Sequence, residues 1–231
     1  GLMVYQGDNW PEEYRGRIFM NNIHGARINM DIPERRGSGY VGRHGADFLS
    51  FNDKWSQVLN LQSGPDGAVY MIDWYDKNEC HHNNVDGHDR TNGRIFKVCY
   101  KETKFAGTDL QKSSDVELVK LLSHRNSWHA RHAQRILQER ASVRGGKEIA
   151  TLVAEEFERA IRHPSSAAYK IRLLSTRHVT GGLNEDEALA LAVTQEPDVA
   201  GWIIRLLCED KNVSEKALKV FGTLAGKSES P

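Results

Sequence analysis

Residues 73–90 hold the densest set of groups able to do chemistry: the carboxylates of Asp73, Asp76, Glu79, Asp86 and Asp89, the imidazoles of His81, His82 and His88, and the thiol of Cys80. Carboxylates and asparagine amides are hard oxygen donors that suit calcium, whereas imidazoles suit a transition metal. The mixture leaves both metals open, and its spacing matches neither an EF-hand loop nor an HExxH helix. Asp73, Asp76, Glu79, His81 and Asp89 are the candidate ligands; the alternative is a solvated, hydrogen-bonded loop. Asp89 next to Arg90 suggests an ion pair that locks this loop.

Two histidines, His24 and His44, are each followed by glycine. Where glycine lets a backbone crowd an axis, such a histidine can enter a central channel as acid, base or anchor; it can equally be a turn residue bonded to a nearby carbonyl. With Asp73, they are the channel candidates. Arg94 and Lys97 are cations that could hold an anionic cofactor such as a quinone carboxylate. The three cysteines, Cys80, Cys99 and Cys208, form neither CxxC nor CxxCH, so no haem is held covalently. Cys80 and Cys99 are a pair in an oxidising compartment or free thiols otherwise.

The elements that must position these groups change character along the chain. Up to about Tyr100 the apolar residues alternate or form short runs, as in 17–23, 27–32, 58–61, 68–74 and 93–98, which predicts strands. Ser63-Gly64-Pro65-Asp66-Gly67 combines a proline corner with a glycine free to adopt positive φ, and predicts a hairpin. Several short antiparallel strands within about 40 residues make one propeller blade. About two blades fit in residues 1–105. Two alone would leave open edges, so the chain is expected to be a section of a larger ring.

A polar stretch over 106–113 predicts a linker, and residues 114–231 follow a helical period. Ser114 and Glu117 form a capping box before Val116, Val119 and Leu122. Later apolar faces carry Trp128, Ile136 and Leu137, then Ile149, Val153 and Phe157, then Leu173 and Leu174, with Trp202, Ile203 and Leu218 further on, all expected in a core. The triplets beginning at Arg135, Arg172 and Arg205 lie 37 and 33 residues apart, near the helix-pair period of HEAT-like solenoids. An irregular helical bundle is the alternative. His124, His129 and His132 belong on a wet face.

Thirty-one basic residues balance 31 acidic ones, so charge gives no support for binding nucleic acid. The sequence has no apolar run long enough for a transmembrane segment. Gly1 leads straight into a strand-like run, as in a chain begun earlier, so the missing secretory signal excludes no compartment.

Four segments also carry a resemblance: Trp10-Pro11-Glu12-Glu13-Tyr14-Arg15-Gly16-Arg17, Asn22-Ile23-His24-Gly25, Gly64-Pro65-Asp66-Gly67 running on to Asp76, and Asp89-Arg90-Thr91-Asn92-Gly93-Arg94-Ile95. Together they resemble the membrane-bound dehydrogenase family of planctomycetes and verrucomicrobia, which is similar to glucose/sorbosone dehydrogenase propellers. The resemblance implies a β-propeller fragment followed by an all-α HEAT-like repeat domain. It implies a secreted or periplasmic oxidoreductase of sugars or alcohols, using pyrroloquinoline quinone and calcium and passing electrons to a c-type haem domain outside this chain. A histidine base would then take the hydroxyl proton while hydride passes to the quinone. The blades where that family keeps its base are not in this sequence, so the fragment alone is expected to be inactive.

The competing reading is a non-catalytic propeller and helical array that binds a polysaccharide or protein partner. A quinone-and-calcium pocket would favour the first, an aromatic-lined open groove the second.

Overall fold

The computed structural model describes residues 1–37, 39–78, 87–103, 107 and 109–227. The chain divides into two compact units, a β unit of Gly1–Gly107 with Arg125–Trp128 and a helical unit of Thr108–His124 with His129–Pro231. Antiparallel sheets are followed by seven α-helices among the described residues. No helix among them is long and apolar enough to cross a membrane.

In the β unit, β1 (Leu2–Val4), β2 (Ile18–Asn22), β3 (Arg27–Arg36) and β4 (Gly39–His44) pair in sequence order, and β5 (Leu49–Ser50) joins the first half of β3. A second sheet runs β6 (Val58–Ser63), β7 (Val69–Asp73), β8 (Arg94–Val98). Period-two alternation turns Val69 and Met71 inward, where they join Met3, Tyr5, Phe19, Ile28, Val58 and Leu61 in one core. The other face of the second sheet stays open: Ile72 is 45% exposed and Ile95 77%.

The β6–β7 hairpin closes as the sequence predicts. Gly64 N–H donates to Ala68 O at 2.9 Å and Gly67 N–H to Gly64 O at 3.0 Å, with Gly67 at φ +72°. A side chain at Gly67 would collide with the backbone N of Asn9 at 2.5 Å. Tyr5, fully buried, donates to Gly67 O at 2.7 Å and accepts from Trp10 N–H at 3.0 Å. Strand β4 is not foretold by the apolar pattern, because its glycines and charges hide the alternation; it makes His44 a strand residue and not a turn residue.

The segment 125–128 also belongs to this unit. Asn126, fully buried, donates from Nδ2 to Gly64 O (3.0 Å) and Pro65 O (3.2 Å), and its Oδ1 accepts from Trp128 N–H at 3.0 Å. Ser127 N–H donates to Gln6 O at 3.0 Å.

In the helical unit, a 3-10 turn at Leu110–Lys112 ends the expected linker with Leu110 buried. The helices are α1 (Asp115–Leu121), α2 (Ser127–Arg144), α3 (Lys147–Arg162), α4 (Ala167–Val179), α5 (Glu185–Thr194), α6 (Pro197–Leu207) and α7 (Glu215–Lys227). The Ser114–Glu117 capping box is present, and Asn184 caps α5. Leu118, Leu122, Leu137, Val153, Phe157, Leu173, Leu174 and Ile203 fill the core. Three expectations fail: Val116 is 47% exposed and is replaced inside by Leu118, Trp202 is 39% exposed, and Leu218 is 57% exposed. Trp202 is instead covered on one ring face by the Arg205 guanidinium, 4.8 Å from its centroid. The arginines of the three similar triplets do unlike jobs. Arg135 pairs with Glu139, Arg172 donates to Leu122 O, and Arg205 lies on Trp202.

Candidate functional site

Asp73 ends β7 directly opposite Arg94, the first residue of β8. Its side chain is fully buried and points back into the sheet, not out into the loop that follows. Arg94 donates to Asp73 Oδ2 from Nε (2.9 Å) and Nη2 (2.6 Å), and Gln57 N–H donates to Oδ1 at 2.6 Å. Two charge-assisted donors converging on one carboxylate oxygen, with a backbone N–H on the other, make the pair strong and fix its geometry. Burial works against the Arg94 charge, but the bonds and charge of Asp73, with Asp53 behind them, hold the guanidinium above its usual pKa.

Tyr75 lies over this pair. The Arg94 guanidinium carbon is 3.6 Å from its ring centroid, and the Trp55 ring is 5.7 Å away on a tilted plane. Tyr75 has φ +45°, a strained conformation for a bulky residue. The pairing of Trp74 N–H with Gln57 O and of Asp76 N–H with Trp55 O, at 3.1 and 3.0 Å, imposes it.

Asp76 is a second buried carboxylate and organises the start and end of the loop. It accepts from Asn78 N–H (3.1 Å), Asp89 N–H (3.1 Å) and Trp74 Nε1–H (3.4 Å), and lies 3.2 Å from His88 Nδ1. These donors, the Asn78 N–H foremost, keep its carboxyl below the usual range in spite of burial. Asp89 turns to Thr91 and Asn92, at 2.6 Å from Thr91 Oγ1 and from Asn92 Nδ2. The expected pair with Arg90 is not made: Arg90 is exposed, and adjacent side chains diverge.

Glu79, Cys80 and His81 lie outside the described residues. Among those described, no three His, Cys, Asp or Glu side chains converge as metal ligands. Asp73, Asp76 and Asp89 each serve a different hydrogen-bonded knot. Cys99 and Cys208 are free thiols. His24 sits in the exposed turn between β2 and β3, while His44 is 63% exposed on β4 with Nδ1 3.1 Å from Asp31.

The two predicted cations are separated by the pleat of β8. Arg94 and Lys97 both line a groove of about 360 Å³ together with Ser50, Phe51, Asp53 and Phe96. Lys97 sends its ammonium to the other face, 2.5 Å from Asp66 and 5.8 Å from the Tyr70 ring centroid. Both already carry a carboxylate, so an anion held by Arg94 and Lys97 together would compete with Asp73 and Asp66. A cavity of about 590 Å³ lies in the helical unit beside Gly146, Lys147 and Arg177 and gathers none of the predicted site residues.

Residues 1–102 match a family model described as a domain of unknown function, DUF7133. The matched span holds all eight strands of the described residues and stops before α1. No curated protein and no solved structure matches the chain.

Sequence reasoning missed Gln57, Asp53 and Asn126. Gln57 is 2% exposed, and its Nε2 donates to the carbonyls of Asp76 and Asn78 at 2.8 Å each. A polar Ser-Gln pair just before an apolar strand was the available signal for it. Nothing local marks Asn126, whose partners lie 62 residues earlier.

Proposed function

We propose that this chain is the framework section of a secreted, dehydrogenase-like protein, with the β unit forming part of a propeller and the helical unit a HEAT-like array. One observation carries the reading: on the outer face of the β6–β8 sheet the cross-strand pair Ile72 and Ile95 is exposed, an apolar patch set among Asn60, Gln62, Tyr70 and Lys97. A sheet with water on one side keeps that side polar, whereas a propeller blade is packed by a neighbour on each face. The segments that carry the dehydrogenase resemblance agree with a framework role. Gly64–Gly67 is a turn, and Asp89–Arg94 anchors a loop and a buried ion pair. The helix pairs α3–α4 and α5–α6 and the 37- and 33-residue spacings support the array.

Pyrroloquinoline quinone, calcium and a c-type haem domain belong to the same proposal, and a quinone held by Arg94 and Lys97 would compete with Asp73 and Asp66 for them. A second reading, a non-catalytic protein that binds polysaccharide or a protein partner, is favoured by the exposed indoles of Trp55 (44%) and Trp74 (43%) beside Tyr75.

The test compares this chain with a longer protein of the kind the proposal implies. Ile95→Glu should leave the stability of this chain within about 0.5 kcal/mol, as for exposed sites. In the longer protein it should lower the unfolding temperature clearly, and that protein, given quinone and calcium, should reduce a redox dye with a sugar or alcohol. Equal tolerance of Ile95→Glu in both removes the propeller reading; absence of dye reduction across a sugar panel removes the dehydrogenase reading and leaves the binding protein.

A further inference from the structure

The segment Asp89–Ile95 contains the sequence's single Asn-Gly step, Asn92-Gly93, and both residues are exposed. Gly93 has no side chain to shield its amide nitrogen, and among the described residues nothing accepts its N–H. An amide nitrogen in that state can attack the side-chain carbonyl of the preceding asparagine. We infer that Asn92 is a site of spontaneous deamidation, and that its conversion unfastens the Asp73–Arg94 pair.

The atoms balance without an oxidant or an enzyme. Gly93 N bonds to Asn92 Cγ as the Cγ–Nδ2 bond breaks. Nδ2 leaves as ammonia, carrying the proton lost from Gly93 N. Water then opens the five-membered imide at either carbonyl, giving an aspartyl or an isoaspartyl residue at position 92.

The surroundings set the consequence. Asn92 Nδ2 donates to Asp89 Oδ2 at 2.6 Å, which restrains the carboxamide until reaction. Afterwards a carboxylate stands where that donor was, facing Asp89, and like charges at hydrogen-bond distance repel. Asp89 is also the anchor for Thr91 N–H and Oγ1, at 3.0 and 2.6 Å. The isoaspartyl product further adds a methylene to the main chain just ahead of Gly93. Arg94 follows at once, and its register opposite Asp73 sets the 2.9 and 2.6 Å bonds of the pair.

The purified chain and Asn92→Ser are aged side by side at mildly alkaline pH with a synthetic peptide of residues 89–96. Peptide mapping by mass spectrometry and thermal unfolding are followed together. The expected result is amide-to-acid conversion at Asn92 in the protein, with a loss of several degrees in unfolding midpoint that tracks the converted fraction. Asn92→Ser should keep its midpoint. Two results would overturn the inference: Asn92 intact in the protein while the free peptide converts, or converted protein that unfolds at the midpoint of fresh protein.

Discussion

The β unit and the helical unit reach order by different means. The β unit hangs on buried polar knots, Asp73 with Arg94 and Gln57, Asp76 with Asn78 and Asp89, Tyr5 with Gly67, and Asn126 with Gly64, most of them joining residues distant in sequence. The helical unit hangs on apolar rows, with exposed ion pairs such as Arg135 with Glu139 and Lys216 with Asp186, and partly buried ones at its flanks, Arg140 with Asp115 and Arg177 with Glu187. A knot of directional bonds fails when one partner is removed, because the other is left buried and unsatisfied. An apolar row degrades by volume, and shape-conserving changes pass.

The largest effect that could break this contrast is in the helical core. Leu137→Ala should cost about 3 kcal/mol, within the range for buried leucines, while Leu137→Met costs less than about 1.5 kcal/mol. Urea unfolding followed by helical circular dichroism measures both. If the two substitutions cost the same, volume is not what holds the unit.

In the β unit, Arg94→Met keeps the apolar stem but strands the Asp73 carboxylate, and is expected to cost about 2–3 kcal/mol given that Arg94 is partly exposed. Arg94→Lys should rescue little, since one ammonium cannot supply both the Nε and Nη2 donors to Asp73 Oδ2 or lie flat on Tyr75. Full rescue by lysine would show that charge alone matters there. Tryptophan fluorescence of Trp55 and Trp74 reports on this region.

The smallest effect concerns acid. The Asp76 carboxyl is held below its ordinary value, so its contribution is complete above the unfolded-chain value of about 4 and is lost as pH falls through the lower folded value. Asp66 and Asp89 shift the same way, Asp66 through Lys97 against burial and Asp89 chiefly through Thr91. Below about pH 4 the β unit should therefore weaken first, and Asp76→Asn should flatten that dependence. Denaturant midpoints at acid and neutral pH, read in a Trp202→Phe background by tryptophan fluorescence and by helical dichroism, separate the two units.

The same division explains what the sequence made legible. Helices, their caps at Ser114 and Asn184, and the 63–67 hairpin are local devices, written in neighbouring residues. Strands with plain alternation, such as 58–63 and 69–73, could be read, whereas β4 could not, since Gly39, Gly42, Arg43 and His44 carry no apolar period. The loop from Asp73 drew attention through its composition. Its chemistry depended on partners that no spacing reveals: Asp73 is answered by Arg94 across a strand pair, and Asp76 by residues on both sides of the loop. Trp202 was misplaced because hydrophobic size was read as burial, while a neighbouring guanidinium can cover an exposed indole.

Asn126 has one more consequence, in the order of synthesis. A ribosome delivers Gly64 and Pro65 long before the residue that satisfies their carbonyls, and α1 emerges in between. Domains commonly fold as they emerge, first residues first. Here the first unit cannot close its last buried bonds until residue 126 has left the exit tunnel. A nascent chain halted just short of that point should stay open to proteases at the 63–67 turn, and one halted well beyond it should not.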